Sequence, residues 1–299
     1  MGSIPSFIAV VGLPGSGKHS YAKQLAASES VILIDVSSRQ KEIQDMYGMK
    51  NDKALIKINK EVRSLLQEGK SVIYVSENTK SKKRKAILTW LEKIECKKKC
   101  VVMATPFDEC CRNNAESEAP LSFEDMRRVY EGWNPPYWYE GWDDIELFYK
   151  GAELKCIEDW LEEHKSFSQD NSHHSLSLGE HCCRVGTSLK YDRNLWCAGL
   201  LHDLGKVYTK SFINVKGEIT SDAHYYNHDN VGSYECMFFK YPEGVDVLKV
   251  AILISLHMVP YNWAGCYDWH SRKEKCKELW GKELFECVMC LHGADKRAK

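Results

Sequence analysis

The first half of the chain alternates short apolar segments with amphipathic ones. Four mainly apolar runs have the length and composition of buried strands, and they cover residues 7–11, 31–35, 71–76 and 100–105. Between these runs, apolar side chains recur at helical spacing across residues 17–28, 53–68 and 82–95. Strands that alternate with amphipathic helices in this order predict a parallel sheet with helices on both faces.

The pattern changes near residue 165. Residues 164–175, HKSFSQDNSHHS, are polar and without a period, which is typical of a linker. Beyond them nearly every segment has a helical pattern, apart from a hairpin-like stretch at residues 211–222. We therefore predict two domains, an α/β domain with a parallel sheet at residues 1–165 and an all-α bundle at residues 166–299.

Composition narrows the class of protein. The net charge of −1 gives no overall field that would attract nucleic acid, so such binding would need a local basic patch. Thirteen cysteines are scattered through apolar segments of a 299-residue chain, which favours free thiols in a reducing compartment over a disulfide framework. No apolar run is long enough to cross a membrane. We expect a cytoplasmic protein, and the sequence leaves its oligomeric state open.

A glycine-rich loop, GLPGSGKHS at residues 12–20, joins the first predicted strand to the first helix. It fits the pattern GxxxxGK, in which backbone N–H groups at a helix N-terminus hold phosphate and the lysine adds a positive charge. His19 stands where a hydroxyl normally ligates magnesium, a task that an imidazole performs poorly. We predict that the loop binds a nucleotide through Gly12, Pro14, Gly15, Ser16, Gly17, Lys18, His19 and Ser20.

The wider pattern resembles the polynucleotide-kinase family of P-loop kinases over about residues 6–148. Besides GLPGSGK, the resemblance rests on IDVSSRQ, on SVIY followed by Asn78, and on a PxxxEGW element. It implies that ATP with magnesium is the phosphate donor and that a nucleic-acid 5′-hydroxyl is the acceptor. It further implies that Asp35 is the base, that Arg39 is a second catalytic residue and that Arg112 belongs to a lid over ATP.

Several positions depart from the pattern of that family. Asp35 and Arg39 are separated by one residue more than is usual, and Val75 stands where an acid is expected. In the lid, Glu116 replaces a second arginine. A glutamate repels a triphosphate, whereas an arginine neutralises charge that develops during transfer. The sequence therefore leaves two alternatives open, a 5′-hydroxyl kinase with an unusual or impaired site and a domain that only binds nucleotide.

Two other segments of this half have two interpretations each. Residues 80–99 hold nine basic and two acidic side chains, and they either bind a nucleic-acid backbone or form the solvated face of a helix. Residues 130–144, YEGWNPPYWYEGWDD, are rich in aromatic side chains. These either stack on bases or, as we expect, pack against the end of the sheet.

Histidines concentrate in the second half of the chain, where ten of the eleven lie between positions 164 and 292. The adjacent His202 and Asp203 stand among leucines in LLHDLGK, so two polar side chains lie at the edge of an apolar core. Buried groups of this kind need a metal or one another as partners. Imidazole and carboxylate ligands together suit a divalent transition metal such as manganese, iron, cobalt or nickel, or in some sites magnesium.

The order H…HD…D in this half resembles the HD-domain phosphohydrolase family, and its segments are similar to the HD module of tRNA nucleotidyltransferases. The resemblance implies that one metal is held by His181, His202, Asp203 and Asp295. Two further histidines, His228 and His257, match positions that either ligate a second metal or donate to phosphate. His224 is either a substrate contact or a structural residue.

The expected chemistry is hydrolysis of a phosphate ester. Asp203 would ligate the metal and orient water, and Lys206, one helical turn after His202, would meet a phosphate. We favour a nucleic-acid end-processing enzyme, acting mainly on RNA, whose HD domain removes a 3′-phosphate or opens a 2′,3′-cyclic phosphate. One alternative is a nucleotide or cyclic-nucleotide phosphohydrolase regulated by ATP. Another is a nucleotide-gated binding protein in which both sites are degenerate.

Overall fold

The computed structural model describes residues 4–171, 175–263 and 265–298, and the chain divides into two compact units. Unit 1 comprises Met1–Met126 and Pro136–Ala152, and unit 2 comprises Arg127–Pro135 and Glu153–Lys299. This division follows Ala152 and so precedes the boundary that we predicted at residues 165 and 166. Three residues of the predicted linker, 172–174, lie outside the described residues.

Unit 1 is built on a parallel sheet of five strands in the order β2-β3-β1-β4-β5. The strands are β1 (Ser6–Val11), β2 (Val31–Asp35), β3 (Ser71–Val75), β4 (Lys97–Ala104) and β5 (Asp144–Tyr149). The helices are α1 (Lys18–Ser28), α2 (Val36–Tyr47), α3 (Asn51–Gln67), α4 (Ser81–Leu91) and α5 (Phe107–Ala115), with a 3₁₀ turn at Trp138–Glu140. Helix α6 (Phe123–Glu131) begins in unit 1 and ends in unit 2. The central strands β1 and β3 are almost wholly buried, which is why they are almost wholly apolar.

Unit 2 is mainly helical. Its helices are α7 (Ile157–Glu163), α8 (Leu178–Ser188), α9 (Arg193–Leu201), α10 (Lys206–Thr209), α11 (His228–Glu235), α12 (Val247–Leu256), α13 (Val259–Trp263) and α14 (Trp269–Arg297), with a 3₁₀ turn at Cys236–Phe238. Helix α14 is broken at Gly281, whose φ of 77° is left-handed. The predicted hairpin is present as antiparallel strands β6 (Ser211–Ile213) and β7 (Ile219–His224).

The predicted architecture is confirmed, an α/β unit with a parallel sheet followed by a helical unit. The four predicted strands are present, but the fifth, β5, was not predicted. Its sequence DIELFY mixes charged and apolar side chains because the strand lies at the edge of the sheet, where several of its residues are exposed. None of the described helices is long and apolar enough to span a membrane.

Capping residues fix where the histidine-bearing helices begin. Helix α8 starts at a capping box in which the Ser177 side chain accepts from the Glu180 N–H and the Glu180 side chain accepts from the Ser177 N–H. Asp192 caps α9 and Asp246 caps α12 through side-chain bonds to main-chain N–H groups. These caps set the register of three helices whose ends form the site described next.

Candidate functional site

Six polar side chains of unit 2 converge in its interior, and all are at least nine-tenths buried. They come from α8, from the residues that follow α9 and α12, from the start of α11, and from the last turns of α14. Their ligand atoms form two groups in which every atom lies within 4.8 Å of the others, namely His181, His202 and Asp295 in the first group and Asp203, His228 and His257 in the second. The structure therefore brings together every residue that the sequence predicted as a metal ligand.

Asp203 faces both groups at once. Its Oδ2 atom lies 3.5 Å from His181 Nε2 and 3.4 Å from His202 Nε2. Its Oδ1 atom lies 3.4 Å from His228 Nε2 and 3.8 Å from His257 Nε2. Asp295 closes the first group, with Oδ1 at 3.1 Å from His181 Nε2. This geometry makes Asp203 a bridge between two ligand sets, a detail that its position in the sequence does not reveal.

The main chain orients all four imidazole rings of the cluster. Their Nδ1 atoms lie near main-chain carbonyl oxygens, His181 at 3.4 Å from Ala298 O, His202 at 2.9 Å from Gly199 O, His228 at 2.7 Å from Tyr225 O and His257 at 2.6 Å from Ile254 O. Because a carbonyl oxygen only accepts, each Nδ1 carries the proton and each Nε2 lone pair points into the cluster.

These lone pairs require a positive charge between them. The Nε2 atoms of His181 and His202 are 3.1 Å apart, and those of His228 and His257 are 3.3 Å apart. Facing lone pairs at such distances repel unless a cation or a proton lies between them. The donor set, imidazole nitrogen with carboxylate oxygen, suits a divalent transition metal.

The pKa shifts within the cluster also indicate that it favours a bound positive charge. Burial opposes protonation of His202, but the Asp203 carboxylate outweighs burial and holds the pKa of His202 well above its ordinary range. Burial, His228 and His202 lower the pKa of His257 to about 3. Burial alone would raise the pKa of Asp203, yet Lys206 and His202 hold it well below its ordinary range. Both carboxylates of the cluster are thus anions that a cation would neutralise.

Two side chains that the sequence did not single out support the cluster. The Tyr261 hydroxyl donates to Asp295 Oδ2 at 3.0 Å, and Gln169 Oε1 accepts from the Lys206 ammonium at 2.8 Å. Lys206 also lies 2.7 Å from Asp203 Oδ2, so the predicted phosphate contact is at the edge of the cluster. His224 belongs to neither ligand group, and its Nε2 lies 3.0 Å from the Thr220 hydroxyl on β7. No local sequence signal marks Tyr261 or Gln169, because both act through long-range contacts.

The glycine-rich loop of unit 1 has the conformation of a phosphate cradle. Gly15 and Gly17 have φ values of 75° and 85°, which other residues adopt with difficulty, and Gly17 caps the N-terminus of α1. Lys18 is buried, and its ammonium donates to Gly12 O and Leu13 O at 2.8 and 2.7 Å. Burial lowers the pKa of Lys18 to about 8. The rest of the predicted loop, Pro14, Ser16, His19 and Ser20, follows the same turn into α1.

The candidate kinase residues are engaged with other partners. His19 Nε2 lies 2.7 Å from Asp35 Oδ2, and the other oxygen of Asp35 accepts from Ser37 and Ser38 at the start of α2. Burial raises the pKa of Asp35, but the bonds from His19 and Ser37 outweigh it and the net shift is downward. The structure thus joins the two residues that depart most from the kinase pattern.

The two candidate arginines of this unit are held by glutamates. Arg39 pairs with Glu42 at 2.6 Å and with Glu61 at 3.0 Å, rather than turning towards Asp35. Arg112 pairs with Glu109 at 2.6 Å on the exposed face of α5. Neither arginine therefore points a free guanidinium at the phosphate cradle in this conformation.

Within the basic segment, residues 80–99, and the aromatic segment, residues 130–144, individual side chains differ in burial and in the unit to which they belong. Within residues 80–99, Arg84 is fully buried and pairs with Glu140, whereas the lysines at positions 80, 82, 93 and 97 are exposed. Within residues 130–144, Tyr137 and Trp142 are buried in unit 1. Tyr130 and Trp133 belong to unit 2, and they pack there on Tyr234 of α11, with ring centroids at 5.5 and 5.1 Å. Packing is therefore confirmed for most of these aromatic rings, although only some of them pack in the sheet unit.

Comparison with known proteins identifies both units. Residues 7–131 match the family model described as an AAA domain, and residues 171–299 match the family model described as an HD domain. The chain thus combines a P-loop kinase-like domain with an HD domain. No match is found among curated proteins.

Solved structures with similarity to the chain are distant from it in sequence. One is a protein of Chloroflexus aurantiacus described as a candidate kinase, with 16% identity and a TM-score of 0.43 over 54% of this chain and 99% of that one. Another is a sugar kinase of Janibacter, with 11% identity and a TM-score of 0.37 over 48% of this chain and 85% of that one. A third is the Pnkp1/Rnl/Hen1 RNA repair complex, with 16% identity and a TM-score of 0.38 over 43% of this chain and 44% of that one.

Proposed function

We propose that this chain is a metal-dependent phosphohydrolase of phosphorylated nucleic-acid ends, mainly RNA ends, and that its P-loop domain binds a nucleoside triphosphate. The observation that carries the proposal is the buried cluster of four imidazoles and two carboxylates, in which all four Nε2 lone pairs face inwards. In unit 1, the exposed lysines within residues 80–99 support binding of a polyanion by that unit.

The two ligand groups fit two cations. His181, His202, Asp295 and Oδ2 of Asp203 would hold the first cation, and His228, His257 and Oδ1 of Asp203 would hold the second. Bound cations of this kind lower the pKa of water and polarise a phosphoryl oxygen. Tyr261 fixes the Asp295 carboxylate, and the four main-chain carbonyls fix the rings, so the ligands are already oriented for binding.

Lys206 is the residue we assign to the phosphate. Its ammonium is buried between Asp203 and Gln169, close to both ligand groups. An anionic phosphoryl oxygen at the cluster would compete for this ammonium and gain a charge-assisted hydrogen bond from it. Asp203 would serve both as a metal ligand and as the acceptor that orients water.

In the P-loop domain we assign nucleotide binding without efficient transfer. His19 replaces the hydroxyl that would ligate magnesium, and its ring also occupies Asp35, the residue that would accept a proton from the attacking hydroxyl. At this site, the magnesium-binding hydroxyl is therefore missing, and the contact between His19 and Asp35 occupies the catalytic base. Replacement of His19 by Ser should free Asp35 and raise 5′-phosphorylation of RNA in the presence of ATP and magnesium. If the His19→Ser variant does not phosphorylate the 5′-hydroxyl, the inefficient transfer is due instead to the lid, where Arg112 is held by Glu109.

Metal content tests the cluster directly. Purified protein should contain about two transition-metal ions per chain, and a His202→Ala, Asp203→Ala double variant should lose both. His257→Ala should lose the second ion preferentially. His224→Ala is the matched control, because this histidine lies on the hairpin, and it should keep the full content. Metal content that is unchanged in the double variant would refute the site.

The substrate is tested with RNA that carries a 5′-hydroxyl and either a 2′,3′-cyclic phosphate or a 3′-phosphate, with matched DNA and with free nucleotides. We expect release of the terminal phosphate from RNA, or opening of the cyclic ester, without added ATP. Lys206→Met should lower this rate by about 10²-fold, since it removes the phosphate contact. Turnover of free nucleotides or cyclic nucleotides without turnover of RNA ends would favour the nucleotide phosphohydrolase instead.

A further inference from the structure

Lys150 lies beside the phosphate cradle, although it is far from the cradle in sequence. It directly follows β5, and its N–H donates to Ala104 O at the end of β4 at 3.1 Å, which fixes it at the carboxyl edge of the sheet. Its Nζ atom lies only 2.6 Å from the point that a Cβ atom on Gly17 would occupy. The absence of a side chain at Gly17 therefore leaves room for this ammonium at the N-terminus of α1.

The other cations around the cradle have partners within the protein. The Lys18 ammonium donates to two carbonyl oxygens of the loop, and His19 is bound to Asp35. Arg112 is paired with Glu109. Among residues 4–171 of the chain, by contrast, the structure shows no ion pair and no side-chain hydrogen bond for Lys150. Its side chain is exposed, so a ligand can reach it.

We propose that Lys150 is a phosphate-binding residue of the nucleotide site and supplies a second positive charge beside Lys18. The proposal rests on the nucleotide binding proposed above. Backbone N–H groups at such a loop hold the α- and β-phosphates, and an ammonium above Gly17 meets the same oxygens from the solvent side. The ligand class is a nucleoside di- or triphosphate, since these present adjacent anionic groups to Lys18 and Lys150 together.

The test compares nucleotide affinity of the full chain with that of three variants at constant magnesium and salt. Lys150→Ala should weaken ATP and ADP binding about tenfold, because one charge-assisted contact is lost. Lys150→Arg should stay within about threefold of the unsubstituted chain, since the charge is retained. The control is Lys23→Ala, which removes an exposed lysine further along α1 and should leave affinity unchanged.

Inorganic tripolyphosphate is the second probe, used as a competitor of a fluorescent ATP analogue. Its apparent affinity should fall about as much as that of ATP in Lys150→Ala, because the contact is to phosphate. Loss of ATP affinity with unchanged tripolyphosphate affinity would mean that Lys150 contacts the base or sugar, and would overturn the assignment. Equal ATP affinity in the unsubstituted chain and Lys150→Ala would also overturn it, while leaving nucleotide binding intact. No nucleotide binding by the folded, unsubstituted chain would overturn both proposals.

Discussion

The orientation of each imidazole ring decides which of its two nitrogen atoms can bind a ligand in the buried cluster. Each imidazole donates from Nδ1 to a main-chain oxygen, so Nε2 is the ring atom that faces the cluster. Nearby carboxylates then set the charge balance, with Asp203 placed between the two groups. In unit 1, two buried side chains can each be tested alone, namely Arg84 in its ion pair with Glu140 and Lys18 in the glycine-rich loop.

Arg84 is the fully buried partner of Glu140, although it lies in a segment whose composition predicts either a nucleic-acid-binding surface or a solvated basic face. Its Nη2 and Nε atoms donate to the carboxylate at 2.7 and 2.8 Å, and Trp142 donates to the same carboxylate at 2.9 Å. Arg84→Ala leaves this anion buried without its cation and should cost about 3–5 kcal/mol in the free energy of unfolding. Urea denaturation measures the loss. The exposed neighbour Lys82→Ala should change stability by less than about 0.5 kcal/mol, and an equal effect of the two would contradict the role of burial.

Lys18 predicts a pH dependence of nucleotide binding. Burial lowers its pKa from the ordinary 10.5 to about 8, so most free protein at pH 9 carries a neutral amine at this position. Phosphate favours the ammonium form and raises that pKa, so binding should take up most of a proton near pH 9, about a quarter of a proton or less near pH 7.5, and almost none near pH 6.5. Calorimetric titration with ATP in buffers of different ionisation enthalpy measures the uptake. Binding that takes up no proton at pH 9 would contradict the placement of phosphate at Lys18.

The lowered pKa of Lys18 also makes the free energy of unfolding depend on pH. Because the folded pKa lies below the unfolded one, the unfolded chain binds more protons between pH 8 and pH 10.5. The contribution of Lys18 to the free energy of unfolding should therefore rise with pH across that window, and stay at its least favourable value below it.

At the scale of the helix, close packing of α8 on α9 places two of the histidines together. A Cβ atom on Gly199 would lie 2.9 Å from Gly186 Cα and 3.0 Å from Gly186 N, closer than real side chains approach. Glycine at both positions lets the two backbones meet, and His181 and His202 extend from these same helices into the cluster. The cluster therefore depends on residues that carry no functional group.

Gly199→Ala tests this dependence. The added methyl group must push α8 and α9 apart, which should cost about 1–3 kcal/mol in the free energy of unfolding and weaken metal retention. Gly293→Ala on α14 is the matched control. Its nearest neighbour would be a flexible Arg297 nitrogen at 3.3 Å, so alanine there should be neutral or stabilising. Urea denaturation and metal analysis measure both effects, and full metal content in Gly199→Ala would contradict the role of helix contact.

At the scale of the whole molecule, the chain contains two cores, each with its own candidate ligand site. Unit 1 has the sheet and the glycine-rich loop, and unit 2 has the cluster of histidines and aspartates. A ligand that binds only the folded form of one unit stabilises that unit by mass action, by about 2.7 kcal/mol at a hundredfold excess over its dissociation constant.

Calorimetric unfolding should therefore show two separable responses. Chelation should lower the unfolding temperature of the helical unit and leave that of the sheet unit unchanged. ATP should raise the unfolding temperature of the sheet unit alone. A truncated helical unit, Glu153–Lys299 without Arg127–Pro135, should unfold earlier, because Trp133 and Tyr130 would no longer cover Tyr234. A single transition that both ligands shift together would contradict independent cores.

The sequence by itself determined the class of each unit and the set of candidate ligands. Strand and helix periods and the GxxxxGK loop are local signals, since each depends on residues close together in the chain. They were enough to predict the parallel sheet and the helical unit. The H…HD…D order spans residues 181–295, and the six candidate ligands came from its resemblance to the HD-domain family. β5 was missed because an edge strand keeps charged residues and lacks a clear period.

Tertiary structure alone decided how those residues are used. Only packing of distant elements could place Asp203 between two ligand groups, hold His19 on Asp35, and bury Arg84 against Glu140. It alone brought Lys150 over Gly17 and Tyr261 to Asp295. The physical reason is that a side chain's partner, burial and pKa depend on atoms far away in sequence, whereas secondary-structure patterns depend on neighbours.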